Sequence, residues 1–94
     1  MPDEILEIRA VVRGRVQGVG FRFYAERCAE QLSLHGWVRN LYNEDVEILA
    51  QGTKAQLVDY IAKLWQGPRS AHVEDVEVHW QNPTQKYDYF SITY

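Results

Sequence analysis

Ile5-Leu6-Glu7-Ile8-Arg9-Ala10-Val11-Val12-Arg13-Gly14-Arg15-Val16-Gln17-Gly18-Val19-Gly20-Phe21-Arg22 carries a change of period across a glycine cluster. From Ile5 to Arg13 the residues alternate. Leu6, Ile8, Ala10 and Val12 fall on one side and Glu7, Arg9 and Arg13 on the other, which predicts a half-buried strand. Gly14 to Gly20 holds three glycines in seven positions and reads as a loop. Beyond it Phe21, Ala25, Cys28, Ala29 and Leu32 recur at helical spacing, which predicts a helix from Phe21 through about Leu34.

Downstream, Trp37 to Tyr42 and Val46 to Gln51 read as two strands around a polar turn near Asn43-Glu44. Centring a hairpin there sets Leu41 opposite Val46, with Ile48 and Ala50 continuing the apolar side. Gly52 breaks the strand, and Thr53 with Gln56 matches a capping box at a helix start. Leu57, Ile61 and Leu64 then form the buried stripe of a second helix, stopped by Gly67-Pro68. Val76, Val78 and Trp80 alternate as a fourth strand, Asn82-Pro83 turns the chain, and Phe90, Ile92 and Tyr94 mark a last one. The order is β-α-β-β-α-β with an extra C-terminal strand, an α+β sandwich with two helices on one face of a mostly antiparallel sheet.

That order already places a site. A right-handed split β-α-β unit runs the first and second strands parallel, with the third between them. The loop after the first strand, the start of the first helix and the end of the second strand then share one edge of the sheet. Residues 14–22 should converge there with Asn40.

Composition narrows what such a site does. The 94 residues fit one domain, 1–94, with 46% hydrophobic and 24% charged residues, an ordinary globular balance. A net charge of −3 opposes nucleic-acid binding, which needs basic surface to displace counterions. No stretch approaches the roughly 18 apolar residues of a membrane span. The acidic start Met1-Pro2-Asp3-Glu4 is unlike a signal peptide, and Cys28 is the single cysteine, so the expected location is cytoplasmic.

Glycines let successive backbone N–H groups turn toward an anion, and the helix that follows adds its positive end. Arg22 falls in that helix's first turn, where the dipole disfavours a cation unless an anion is there to hold. Its planar fork matches phosphate oxygens. The same features also describe a tight strand-to-helix connection beside a solvated arginine, so both readings stay open on the residues alone. A Walker loop is excluded because no Gly-Lys-Ser/Thr occurs, and a dinucleotide fingerprint because position 23 is Phe23.

Two segments bear on the choice. Val12-Arg13-Gly14-Arg15-Val16-Gln17-Gly18-Val19-Gly20-Phe21-Arg22 closely resembles the first signature of the acylphosphatase family, and Gly36-Trp37-Val38-Arg39-Asn40, followed by Val46-Glu47-Ile48 and Gly52, resembles the second. The ending Phe90-Ser91-Ile92-Thr93-Tyr94 is similar to the family's too, so the likeness spans essentially the whole chain. The resemblance implies a ferredoxin-like fold that hydrolyses small acyl phosphates to carboxylate and inorganic phosphate without metal or cofactor. It puts the phosphate-binding arginine at Arg22, the water-orienting asparagine at Asn40, and the cradling loop at Arg15, Val16, Gln17, Gly18, Val19 and Gly20. Inorganic phosphate and sulfate are the expected site ligands. In place of the glycine that the family commonly sets in the hairpin turn, this chain has Asn43-Glu44-Asp45, where Asn43 is the better candidate for positive φ.

Other conspicuous residues read as structural. His35, His72 and His79 have no ligand-like spacing, so no metal site is expected. Cys28 lies on the helical stripe as core, Trp37, Trp65 and Trp80 read as packing, and Glu44, Asp45 and Glu47 as a solvated face. Tyr94 is placed to bring its terminal carboxylate toward the site. An RNA-binding reading of the same fold lacks sheet aromatics in Val46-Glu47-Ile48-Leu49-Ala50-Gln51. A module of a larger carbamoyl-phosphate-handling enzyme would continue into further domains, whereas this chain stops at the family's terminus, so no obligate protein partner is expected. A non-catalysing member is disfavoured by the presence of both Arg22 and Asn40.

Overall fold

Alternation carries β1 (Leu6–Arg15) beyond Arg13, two residues past the point where the glycines suggest a loop. A register shift between Arg13 and Gly14 against the neighbouring strand lets pairing continue to Arg15. The computed structural model describes residues 4–94, and Met1-Pro2-Asp3 of the acidic start lies outside the described residues. The remaining elements are α1 (Phe21–Gln31), β2 (His35–Asn40), β3 (Val46–Gly52), α2 (Lys54–Gln66), β4 (His72–Gln81) and β5 (Phe90–Ile92). The sheet order is β4-β1-β3-β2-β5. β3 pairs antiparallel with both β1 and β2, which makes those two parallel, as the split β-α-β reading requires. β4 is antiparallel to β1, and β5 runs parallel to β2 at the other edge.

Both helices lie on the sheet face that carries Ile8, Ala10, Val12, Val38, Val46, Ile48 and Ala50, which together with Phe21, Ala25, Cys28, Leu57, Tyr60 and Leu64 form one buried cluster. This is the ferredoxin-like α+β arrangement. Cys28 belongs to that core. Burying a Val, Leu, Ile or Phe side chain stabilises by about 1.5–3 kcal/mol and an alanine by less, so this layer supplies most of what holds the short chain folded.

Several boundaries differ from the sequence reading, each for a physical reason. α1 stops at Gln31 because Ser33 turns left-handed at φ 59, with its N–H donating to Glu30 O and that of Leu34 to Ala29 O at 2.8 Å. That pair of bonds is a Schellman closure, normally built on glycine. In α2 the capping box forms as expected, but the buried stripe is Leu57, Tyr60 and Leu64, with Ile61 only half-buried. Tyr60 fits inside because its hydroxyl donates to Ala25 O at 2.9 Å.

The hairpin register is one residue away from the expected one: Asn40, not Leu41, faces Val46. Leu41 instead pairs Asp45, donating to its carbonyl at 2.8 Å, while Glu44 N donates to Leu41 O at 3.2 Å. The loop is therefore the three residues Tyr42, Asn43 and Glu44, and Glu44, not Asn43, takes positive φ at 73. Such a loop ends on a left-handed bulge residue. Asn43 serves the turn through its side chain, its Oδ1 accepting from Asp45 N at 3.1 Å.

The helix-free sheet face is polar but not uniformly wet. Glu47, expected in solvent, is buried between Arg9 at 3.2 Å and Arg39 at 2.6 Å. Both guanidinium groups lie over the Trp37 ring, at 5.7 and 5.0 Å. Asp45 is half-buried and pairs with Arg13 at 3.5 Å, so of the acidic trio only Glu44 is solvated. Glu7, on the polar side of the alternation, is fully buried and accepts from the amides of Gln51 and Gln81. The segment between β4 and β5 closes over this network, with Gln51 donating to Gln85 O at 2.6 Å. Trp65 and Trp80, expected to pack, are 46% and 44% exposed.

Candidate active site

The chain leaves β1 with Val16, which is buried in the core and fixes the start of the loop. Gly18 and Gly20 then adopt φ 72 and 78. A Cβ at either would meet nothing within 4 Å, so glycine is required by the left-handed backbone and not by crowding. Gly20 is the N-cap of α1. It provides no side-chain cap, and no acidic residue stands in the first turn. The first N–H groups of α1 thus keep the free donors and positive end that attract an anion.

Arg22 sits in that turn, with its Cζ 4.8 Å from the centre of the Tyr94 ring. Among the described residues the ion pairs involve Arg9, Arg13, Arg39, His79 and Lys86, and Arg22 enters none of them. Tyr94, whose terminal carboxylate the sequence places toward the site, meets the guanidinium through its ring.

Asn40 ends β2 with an exposed side chain. It reaches the same place from the other side: one hollow of about 100 Å³ is lined by Val16, Gly18, Gly20, Phe21, Arg22, Phe23 and Asn40. The convergence anticipated from topology is therefore present. Of the six expected loop residues, Val16, Gly18 and Gly20 line the hollow, whereas Arg15, Gln17 and Val19 do not. Arg15 is exposed opposite His72, and Val19 packs against the core.

Gln17 turns away to the hairpin. Its Nε2 donates to Leu41 O and to Asp45 O, each at 2.8 Å. These bonds tie the glycine loop to the residue that follows Asn40. Nothing in local periodicity announces them; only the convergence of the two segments could have suggested a bridge.

Among the described residues, Arg22 is the one ionisable side chain lining the hollow, and no carboxylate or imidazole side chain lines it. His35 Nδ1 contacts Tyr87 O at 2.8 Å, and His79 pairs with Glu77 at 2.7 Å. Among the described residues no group of three or more His, Cys, Asp or Glu is placed to hold a metal ion. The Tyr24 hydroxyl, which donates to Lys63 O at 2.7 Å, is pushed up to about 12, first by burial and then by Cys28 beside it. Through Asn40 the hollow adjoins a wider groove of about 520 Å³, lined by Arg39, Leu41, Tyr42 and Tyr94. No helix among the described residues is long and apolar enough to cross a membrane.

The arrangement offers one fixed cation, free N–H donors and one neutral amide around a space for a tetrahedral anion. Residues 8–92 match the family model described as Acylphosphatase. An acylphosphatase of Chloroflexus aurantiacus is 40% identical to this chain, over 97% of this chain and 99% of the relative. One from Koribacter versatilis is 46% identical, over 89% of this chain and 76% of the relative. The crystal structure of acylphosphatase from Bacillus subtilis superposes with a TM-score of 0.92 at 37% identity, covering 95% of this chain and 99% of that one.

Proposed function

The chain belongs to the acylphosphatase family, enzymes that hydrolyse acyl phosphates, and from that premise we propose that Arg22 and Asn40 are the pair that performs the hydrolysis here. The glycine loop and the start of α1 take the phosphoryl oxygens through backbone N–H groups, and the Arg22 fork takes two more positions. Phosphoryl transfer passes through a loose transition state with charge on three equatorial oxygens, so stabilising those oxygens is the main work. The Asn40 amide holds a water in line with phosphorus. Its oxygen attacks phosphorus, the bond from phosphorus to the acyl oxygen breaks, and the electron pair leaves with the carboxylate.

An amide is no base, and among the described residues no side chain that lines the hollow accepts a proton. The water's proton therefore passes to a phosphoryl oxygen of the substrate. A carboxylate leaves well without protonation, so the chemistry calls for neither a general acid nor a metal or cofactor. The substrate is a small acyl phosphate, and inorganic phosphate and sulfate should compete for the same hollow.

The single observation that supports this reading is the lining of that hollow: one guanidinium and one amide, carried by separate elements and facing a common space. The test is hydrolysis of benzoyl phosphate in excess chelator by the wild type, Arg22→Ala and Asn40→Ala. Loss of at least about 10²-fold is expected for each variant, the scale of removing one preorganised transition-state contact, with the circular dichroism spectrum unchanged. Wild-type rates in both variants would end the assignment of these residues. Inactivation by the chelator would mean that a metal takes part.

A further inference from the structure

We propose that Phe23 holds the acyl half of the substrate and biases the enzyme toward planar, apolar acyl groups. The inference rests on the roles of Arg22 and Asn40 above. A hollow of about 100 Å³ accommodates a phosphoryl group and a water but not a complete acyl phosphate, so the acyl group lies at its rim.

In-line displacement decides which part of the rim. The attacking water and the departing oxygen stand on opposite sides of phosphorus. Among the residues lining the hollow Asn40 alone comes from β2, and the others come from the glycine loop and the first turn of α1. A water held by Asn40 therefore directs the acyl oxygen toward the loop-and-helix wall. That wall also suits the charge that develops, because a departing carboxylate emerges beside the uncapped, positive end of α1.

On this wall Val16 and Phe21 are buried, Gly18 and Gly20 have no side chain, and Arg22 is engaged with the phosphoryl group. Phe23 remains. It is 62% exposed and takes no part in the core cluster. Its ring offers an apolar, planar surface where the acyl group must pass, and a benzoyl group fits it better than an acetyl group does. Tyr42, although more exposed still, belongs to the groove on the Asn40 side, and the Tyr94 ring, 4.8 Å from the Arg22 Cζ, is taken up by that guanidinium.

The test measures kcat/KM for benzoyl phosphate and acetyl phosphate in the wild type, Phe23→Ala and Tyr42→Ala, with inhibition by inorganic phosphate alongside. In Phe23→Ala the benzoyl-to-acetyl ratio should fall roughly 5-fold, the scale of one aromatic pair, through a higher KM for benzoyl phosphate. Acetyl phosphate should lose less than benzoyl phosphate, phosphate inhibition should shift less than the KM for benzoyl phosphate, and Tyr42→Ala should keep the wild-type ratio. An unchanged ratio in Phe23→Ala, equal loss on both substrates, or a ratio that moves with Tyr42→Ala in its place would overturn the inference. An unchanged ratio, or one moved by Tyr42→Ala, leaves the phosphoryl site intact, whereas wild-type rates in Arg22→Ala would remove the reading beneath it.

Discussion

Replacing Gln17 tests whether a side chain that does not line the hollow governs its geometry. The Nε2 group spans two carbonyls, Leu41 O and Asp45 O, each at 2.8 Å. Both carbonyls keep another donor, since Glu44 N reaches Leu41 O at 3.2 Å and Leu41 N reaches Asp45 O at 2.8 Å. Gln17→Ala therefore orphans neither, and its cost is two partly buried hydrogen bonds, about 2 kcal/mol in total. For a domain of this length that corresponds to a drop of roughly 10 °C in melting temperature. Gln17→Glu should cost more, because it sets an oxygen against two carbonyl oxygens where an N–H had been. The catalytic effect follows from what the bridge fixes. It joins the glycine loop to the hairpin one residue beyond Asn40, and a displacement of about 1 Å between water and phosphorus is worth ~10²-fold in rate. We expect Gln17→Ala to lower kcat on benzoyl phosphate by about that factor in the wild-type background, yet to change the residual rate of Asn40→Ala very little, because a positioning residue has nothing left to position. An equal fractional loss in both backgrounds, or a lower melting temperature with kcat unchanged, refutes the reasoning.

Other consequences concern stability. Ser33 and Glu44 occupy left-handed backbone at φ 59 and 73, so Ser33→Gly and Glu44→Gly should each stabilise by about 1 kcal/mol once the greater unfolded freedom of glycine is set against the relieved strain. The sites share no partner, so the gains should add, and a double variant that melts no higher than either single one would contradict this. The Glu77 carboxyl is held below its ordinary value, first by its hydrogen bond with His79 and next by Arg13. A depressed carboxylate contributes stability that is present above its unfolded pKa and lost as pH falls through the folded one. Glu77→Gln should therefore flatten the acid limb of melting temperature against pH without changing kcat at neutral pH; an unaltered acid limb would show that the group does not contribute.

How far the fold could be read beforehand follows from which signals are local. The period-two run Leu6 to Val12 and the Thr53/Gln56 capping box depend on near neighbours, and both elements form where they were expected. The failures come from tertiary terms. Alternation puts Glu7 on the polar face, but only the return of the chain from β4 to β5 reveals that this part of the face is covered. Ile61 and Tyr60 are adjacent, and hydropathy favours the first. The second is buried because Ala25 O, on the other helix, is there to satisfy its hydroxyl. The hairpin register turned on which loop residue tolerates positive φ. Glu44 accepts that strain because the side chain of Asn43 and the Gln17 bridge brace the turn from both sides.

The meeting of Arg22 and Asn40 at one hollow was legible for a different reason. A guanidinium in the first turn of a helix is electrostatically misplaced unless something negative sits in front of it. A chain of 94 residues has little stability to spend on misplaced charge. Here the conflict is partly absorbed by Tyr94, whose ring lies 4.8 Å from the Arg22 Cζ and holds the guanidinium at the mouth of the hollow before any ligand arrives. Gln17 ties the backbone next to Asn40 to the glycine loop through the carbonyls of Leu41 and Asp45. On the proposed mechanism both groups act by orientation more than by proton transfer, and Tyr94 and Gln17, which do not line the hollow, brace the guanidinium and the backbone beside Asn40. A fold this small can place such a pair because its sheet brings the ends of β1 and β2 to one edge, where the glycine loop, the start of α1 and Asn40 line the same hollow.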